Sequence, residues 1–234
     1  MDGVAKKMTE VNVPDRALFF ELEFLAVSGW SFLYEAVKSV LSEYKIKITL
    51  PLFSQYFASK SPAVALRRMA ADFENEALAE SDVLDAVKAA YVEAVKTKGK
   101  VSKGLVKLIS DLRGHGIGLG ALTCLDKETA AAILKQLKLT DDDIYVMESE
   151  HCGRAAPTAQ DWLKLAKEMQ ASTTLCTVAA TSASSCKAAL CAGMRCFAVP
   201  DRLTAFHDFS GADYVIESLD DDAEELVLKL VEAF

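Results

Sequence analysis

Short, wholly apolar runs alternate with segments of helical period from about residue 100 to the end of the chain. The runs are GIGLGAL (116–122), IYVM (144–147), TLCTVA (174–179), RCFAV (195–199) and DYVI (213–216). Between and after them, helices are predicted over 103–113, 126–138, 158–170, 184–192 and 222–233. Leu105, Leu108, Ile109 and Leu112 share one face of the first, which stops at Gly114. The second helix starts at Asp126, and Thr158 stands where a helix N-cap belongs. A strand that is apolar throughout has no face to offer water, so helices must cover it on both sides. Helical connections between such strands imply a parallel sheet. In a sheet of that kind, ligands bind beyond the carboxyl ends of the strands.

The N-terminal part differs. An apolar strand from about residue 16 is followed by a region, 28–98, that reads as helical throughout. Trp30, Leu33, Tyr34, Val37, Val40 and Leu41 recur at helical spacing. Further helices fit 51–59, opened by Pro51, then 61–75, and 82–97 with Ser81 as N-cap. The expected architecture is an α/β, doubly wound parallel sheet with strands ending at Phe20, Leu122, Ala179 and Val199. A helical insertion at 28–98 interrupts a core made of 16–27 and 99–234, behind a tail at 1–15.

Composition narrows the function classes. With 51% hydrophobic residues the chain can bury a large core. Its 26 basic and 34 acidic residues give a formal charge of −8, which argues against a nucleic-acid or anionic-membrane surface. No apolar run reaches the ~18 residues of a membrane-spanning helix. The opening MDGVAKKMTEVNVPDR lacks the apolar stretch of a secretory signal. Six cysteines occur without a CxxC pair, so the expected setting is the cytoplasm or another reducing compartment. The acidic clusters Asp141–Asp143 and Asp220–Glu225 read as solvated caps.

Four segments flank the predicted strand ends: RALFFELEFLAVSG (16–29), ALTCLDKET (121–129), CGRAAPTAQDWL (152–163) and VAATSASSCKAALCAGM (178–194). Their order and content resemble the haloacid dehalogenase (HAD) superfamily, in the subgroup of phosphoglycolate phosphatase and beta-phosphoglucomutase. The resemblance covers about residues 16–230 and implies a helical cap at 28–98. It also implies site positions. Glu21 and Glu23 stand for the nucleophilic and the acid/base aspartate, and Phe24 and Leu25 for the glycine and threonine that follow. Thr123 stands for the phosphate-binding hydroxyl, and Arg154 for a lysine. Ala180 and Thr181 stand for an acidic pair that holds Mg²⁺, with Ser182 beside them. The tail Ala188, Ala189, Ala192, Gly193 and Met194 follows the family pattern closely.

The departures point to degenerate catalytic positions. A glutamate moves the attacking oxygen about one bond outward, and ~1 Å of misplacement can cost ~10²-fold in rate. A neutral threonine does not replace a metal-binding carboxylate. Three functions remain open on the sequence. One is a catalytically silent HAD-like module working through a protein partner. Another is an anion-binding protein using Thr123, Arg154 and Ser182 for a small phosphorylated ligand. The third is an active phosphatase or phosphomutase with Glu21 as nucleophile. Only the last requires Mg²⁺; otherwise no cofactor or metal is expected, and no nucleic-acid or membrane partner. In the first case Arg154 is expected to pair with a glutamate and seal the pocket, with Phe24 and Leu25 adding bulk. Cys124 with His151 and Cys152 offers a weaker thiolate or Zn²⁺ alternative, and Asp201 an additional carboxylate. His115 and His207 are assigned no role.

Overall fold

The computed structural model describes residues 15–57, 61–149, 157–219 and 221–233. Strand β1 (Ala17–Glu21) runs directly into the short helix α1 (Leu22–Ala26). Four longer helices follow: α2 (Gly29–Glu43), α3 (Leu50–Phe57), α4 (Pro62–Asp72) and α5 (Ser81–Lys98). Then come α6 (Lys103–Gly114), β2 (Gly118–Thr123), α7 (Lys127–Gln136) and β3 (Tyr145–Glu148). After α8 (Ala159–Glu168), the order is β4 (Cys176–Ala180), α9 (Ala183–Cys191) and β5 (Arg195–Ala198). Strand β6 (Tyr214–Val215) and helix α10 (Asp221–Glu232) complete the described elements.

The strands form one sheet in the order β3-β2-β1-β4-β5-β6, and every neighbouring pair is parallel. Alternation along β1 sends Leu18 and Phe20 to one face and Ala17 and Phe19 to the other. Leu105, Leu108, Ile133 and Val227, from α6, α7 and α10, pack on the first face. Trp162, Leu165, Cys186 and Ala189, from α8 and α9, cover the second, where Trp162 stacks on Phe19 at 6.5 Å. Helices α2–α5 build a third apolar cluster around Phe53, Phe57, Leu66 and Met69. Among the described residues, no helix is long and apolar enough to cross a membrane.

The expected parallel sheet is observed, and these four strand ends each shift by one residue. Strand β1 ends at Glu21 rather than Phe20, because the ladder extends to Glu21 opposite Leu122. Likewise β2 and β4 end at Thr123 and Ala180, whereas β5 stops at Ala198, before Val199. Ladder pairing carries through a polar residue that apolar patterning treats as an end. Ser81 is not the N-cap of α5. Glu80 holds that position, and the Ser81 hydroxyl donates to Asp82. Asp126, read as the first residue of its helix, is the N-cap of α7 and accepts from the Thr129 N–H at 2.9 Å.

Candidate active site

The chain leaves β1 toward β2 and β3 on one side, and later enters β4 on the other side of β1. The crevice beyond the carboxyl ends of β1 and β4 is therefore the point where the winding reverses, the usual ligand position in such a sheet. Glu21 lies at the end of β1, Thr123 at the end of β2, and Thr181 and Ser182 follow β4. Glu23 sits in the first turn of α1 rather than on a loop.

Both glutamates are buried, Glu21 at 4% exposure and Glu23 at 1%. Glu23 is well satisfied. Its Oε2 accepts from the Thr123 hydroxyl at 2.8 Å, and its Oε1 accepts from the Cys124 N–H at 3.0 Å. The Thr123 oxygen in turn accepts from the Leu125 N–H at 3.1 Å. Glu21 is not: its Oε2 is buried without a hydrogen-bond partner. Burial pushes the Glu21 carboxyl up to about 8, opposed by nearby Ser185 and reinforced by the Glu23 charge. Ser185 lies close enough to favour the charged form, yet its hydroxyl makes no hydrogen bond of good geometry. Burial also raises Glu23, against the Cys124 N–H and the Thr123 hydroxyl. Two neighbouring buried carboxyls do not both ionise readily. The donors that favour an ionised carboxylate sit on Glu23, so the pair holds its charge preferentially there and its proton on Glu21.

The other candidate groups are also engaged within the chain. Ser182 Oγ caps α9, accepting from the Ser185 N–H at 3.2 Å. Thr181 Oγ1 accepts from the Trp30 indole N–H at 3.2 Å. Phe24 lies between Trp30 and Tyr91, with ring centroids 4.9 and 6.4 Å away. Burial, then the charges of Glu23, Cys124 and Glu21, hold the Tyr91 hydroxyl well above its usual range. Leu25 does not fill the crevice; it packs against the core on the first face of the sheet. Arg154, with His151, Cys152 and Gly153, lies outside the described residues, as does the expected pairing of Arg154 with a glutamate.

His207, assigned no role from the sequence, stands beside this site. Its Nδ1 accepts from the Ala183 N–H at the start of α9 at 3.3 Å. Its ring meets Trp30 edge-on at 6.5 Å, and burial lowers its pKa. A lone histidine in a loop carries no periodic signal that could have revealed this. Asp201 Oδ1 accepts from the Leu203 N–H at 2.6 Å, and its Oδ2 is buried without a partner. Among the described residues, no group of three or more histidine, cysteine or acidic side chains is placed to hold a metal ion.

No family model matches the chain. The Bacillus subtilis (strain 168) protein named "Putative phosphatase YhcW" is 20% identical over 204 residues, covering 87% of this chain and 92% of that protein. Among solved structures, beta-phosphoglucomutase from Clostridium difficile superposes with a TM-score of 0.71 at 16% identity, covering 93% of this chain and 97% of its own. CbbY from Rhodobacter sphaeroides, solved in complex with phosphate, gives 0.70 at 15% identity, over 88% and 95%. A haloacid dehalogenase-like protein from Agrobacterium tumefaciens gives 0.72 at 16%, over 93% and 99%. The crevice beyond β1 and β4 thus belongs to a chain with the HAD-like fold of phosphatases and phosphoglucomutases.

Proposed function

We propose that this protein is a catalytically silent HAD-like module that acts through a protein partner. The observation that carries the reading is the position of Glu23. Its carboxylate holds the Thr123 hydroxyl and the Cys124 N–H. Thr123 is the hydroxyl that the family resemblance assigns to a substrate phosphate. A tethered carboxylate is present at high effective concentration, so a free anion competes at a disadvantage. Ser182 is likewise committed to its helix cap.

The chemistry of Glu21 supports the same reading. A carboxyl held at about 8 is mostly protonated at pH 7 and is then a poor nucleophile. The donor set fits Mg²⁺ badly. Hard cations select deprotonated carboxylates in a fixed octahedral frame. Here Glu21 favours its proton, both Glu23 oxygens are engaged, and the Thr181 oxygen faces an indole N–H. For a partner, the outward apolar side chains include Phe206, in the loop beside His207, and Tyr214 and Val215 on β6. The helical segment 28–98 corresponds to the cap, and the module is assigned to the cytoplasm or another reducing compartment.

The test is Mg²⁺-dependent hydrolysis of p-nitrophenyl phosphate, phosphoglycolate and a hexose phosphate, beside calorimetric titration with inorganic phosphate. Negligible turnover and phosphate binding weaker than roughly 1 mM, or about −4 kcal/mol, are expected. A turnover near ~1 s⁻¹ that Glu21→Gln abolishes would establish the active phosphatase instead. Phosphate binding tighter than that threshold would favour the anion-binding protein.

A further inference from the structure

We propose that Trp30 locks helices α2–α5 onto the strand ends, so that the helical segment is a fixed lid over the β1/β4 crevice. This goes beyond catalytic silence, since a silent protein could still carry a moving lid.

The lock has four points of attachment. Trp30, on α2, is 1% exposed and donates its indole N–H to Thr181, itself 2% exposed, at the end of β4. Opening would break this buried hydrogen bond and bring the Trp30 ring into water. Phe24, on the strand side, is held between Trp30 and Tyr91, both on the helical segment. Such ring pairs add attraction beyond the area they bury. Leu203, from the loop after β5, is buried inside the apolar cluster of α2–α5. The His207 ring, fixed at the start of α9, meets the edge of Trp30.

The connection between α1 and α2 is equally constrained. Ser28 has φ 56° and ψ 49°, the left-handed region that non-glycine residues avoid. Such a conformation persists where its surroundings over-determine it. At Gly29, an added Cβ would lie 2.8 Å from the Tyr91 hydroxyl and 3.0 Å from the Glu23 carbonyl. The backbone at Gly29 is therefore packed against the Tyr91 hydroxyl, the Glu23 main-chain carbonyl and the Phe24 ring, with no room for a side chain. A hinge built to swing would not be packed on both sides in this way.

Trp30 and Trp162 are the two tryptophans of the chain, which makes the lock observable. The experiment is ¹⁹F NMR on the full chain labelled with 5-fluorotryptophan. Trp30→Phe assigns the two resonances, or Trp162→Phe if the first fails to fold. One sharp Trp30 line, with no shift between H₂O and D₂O, is expected. Thr181→Val, which removes the acceptor at nearly constant volume, is expected to move the Trp30 line by more than its width while Trp162 stays in place. A doubled or exchange-broadened Trp30 line in the unsubstituted chain would overturn the proposal, because the lid would then be moving. So would an unmoved Trp30 line in Thr181→Val. If Thr181→Val does not fold, acrylamide quenching of Trp30 in a Trp162→Phe chain decides. Quenching at least tenfold below that of free tryptophan supports the lock, and anything faster overturns it. None of these readouts depends on turnover, so phosphatase activity would sink the catalytic reading and leave the lock to be judged on its own.

Discussion

Replacing Glu21 with glutamine is expected to make the protein more stable at alkaline pH, and the structure sets the size of the effect. The carboxyl moves from an ordinary 4.5 to about 8 on burial. At about 1.4 kcal/mol per tenfold change in proton affinity, that displacement corresponds to about 5 kcal/mol. The sign follows from which state holds the proton. Below pH 4.5, folded and unfolded chains both carry it, and Glu21 costs nothing through ionisation. Between 4.5 and about 8 the unfolded chain has released its proton and the folded chain has not, so stability falls as pH rises. Above about 8 the loss is complete. Several kcal/mol is a large share of a typical domain's 5–15 kcal/mol. The assay is urea unfolding of both chains at pH 5.0, 6.5 and 8.5. At pH 5.0 the two should agree within about 1 kcal/mol, and at pH 8.5 Glu21→Gln should be ahead by several. His207, lowered by burial, acts in the opposite direction near neutrality, but it is present in both chains and cancels in the difference. Parallel pH profiles, or a variant weaker than the parent at pH 8.5, would refute the reasoning, because a buried acid with an unpartnered oxygen cannot ionise free of cost.

Three further outcomes follow from contacts elsewhere. Thr123→Val removes the hydroxyl that donates to Glu23, and should lower stability by about 1.5–3 kcal/mol, the usual range for a hydrogen bond to a charged group; an unchanged urea midpoint at pH 7.5 contradicts this. Gly104→Ala would set a Cβ 1.6 Å from the Leu219 carbonyl oxygen, so α6 must shift, at a cost of at least about 1–3 kcal/mol; thermal unfolding reads it, and an unaltered Tm speaks against the close approach. Asp126→Ala removes the cap of α7 and should cost about 1 kcal/mol. The Thr129 N–H and hydroxyl hold the Asp126 carboxyl below its usual range, so this contribution is present at neutral pH and lost as pH falls through the folded value. The two chains should therefore converge toward pH 2 in acid unfolding, and a gap that widens there would contradict the assignment.

The sheet was legible because its strands are apolar on both faces and its helices carry one-sided periods. Those signals are local and repeat along the chain. The switch-point position of Glu21 and Thr181 followed from the same pattern, since residues after strands in a parallel sheet share one edge. Side-chain partners were not legible in this way. The Trp30–Thr181 hydrogen bond joins residues 151 positions apart, and nothing near either residue announces it. Trp30 reads from its spacing as one more apolar helix residue. Leu25 shows the converse. Its place in a catalytic motif suggested a residue facing the crevice, whereas α1 begins at Leu22 and the helical turn carries Leu25 to the core. The short helix is itself missed by periodicity, because five residues are too few to show a period.

Glu21 and Glu23 divide their labour by donors rather than by residue type. Both are glutamates, two positions apart, and both are buried. Glu23 meets a hydroxyl and a backbone N–H; Glu21 leaves one oxygen unpartnered. On the reading proposed here, this asymmetry closes the site twice. To bind the Thr123 hydroxyl and the Cys124 N–H, an incoming phosphate must first displace Glu23, leaving a buried carboxylate stripped of its donors. That displaced charge can then be relieved only by protonation or by turning toward water. Turning toward water would take Glu23 out of a position where it is 1% exposed. Protonation would place a second neutral acid in a site where the Tyr91 hydroxyl is already buried without a partner. A phosphate can therefore reach the Thr123 hydroxyl and the Cys124 N–H only by supplying the free energy that Glu23 loses with those two donors.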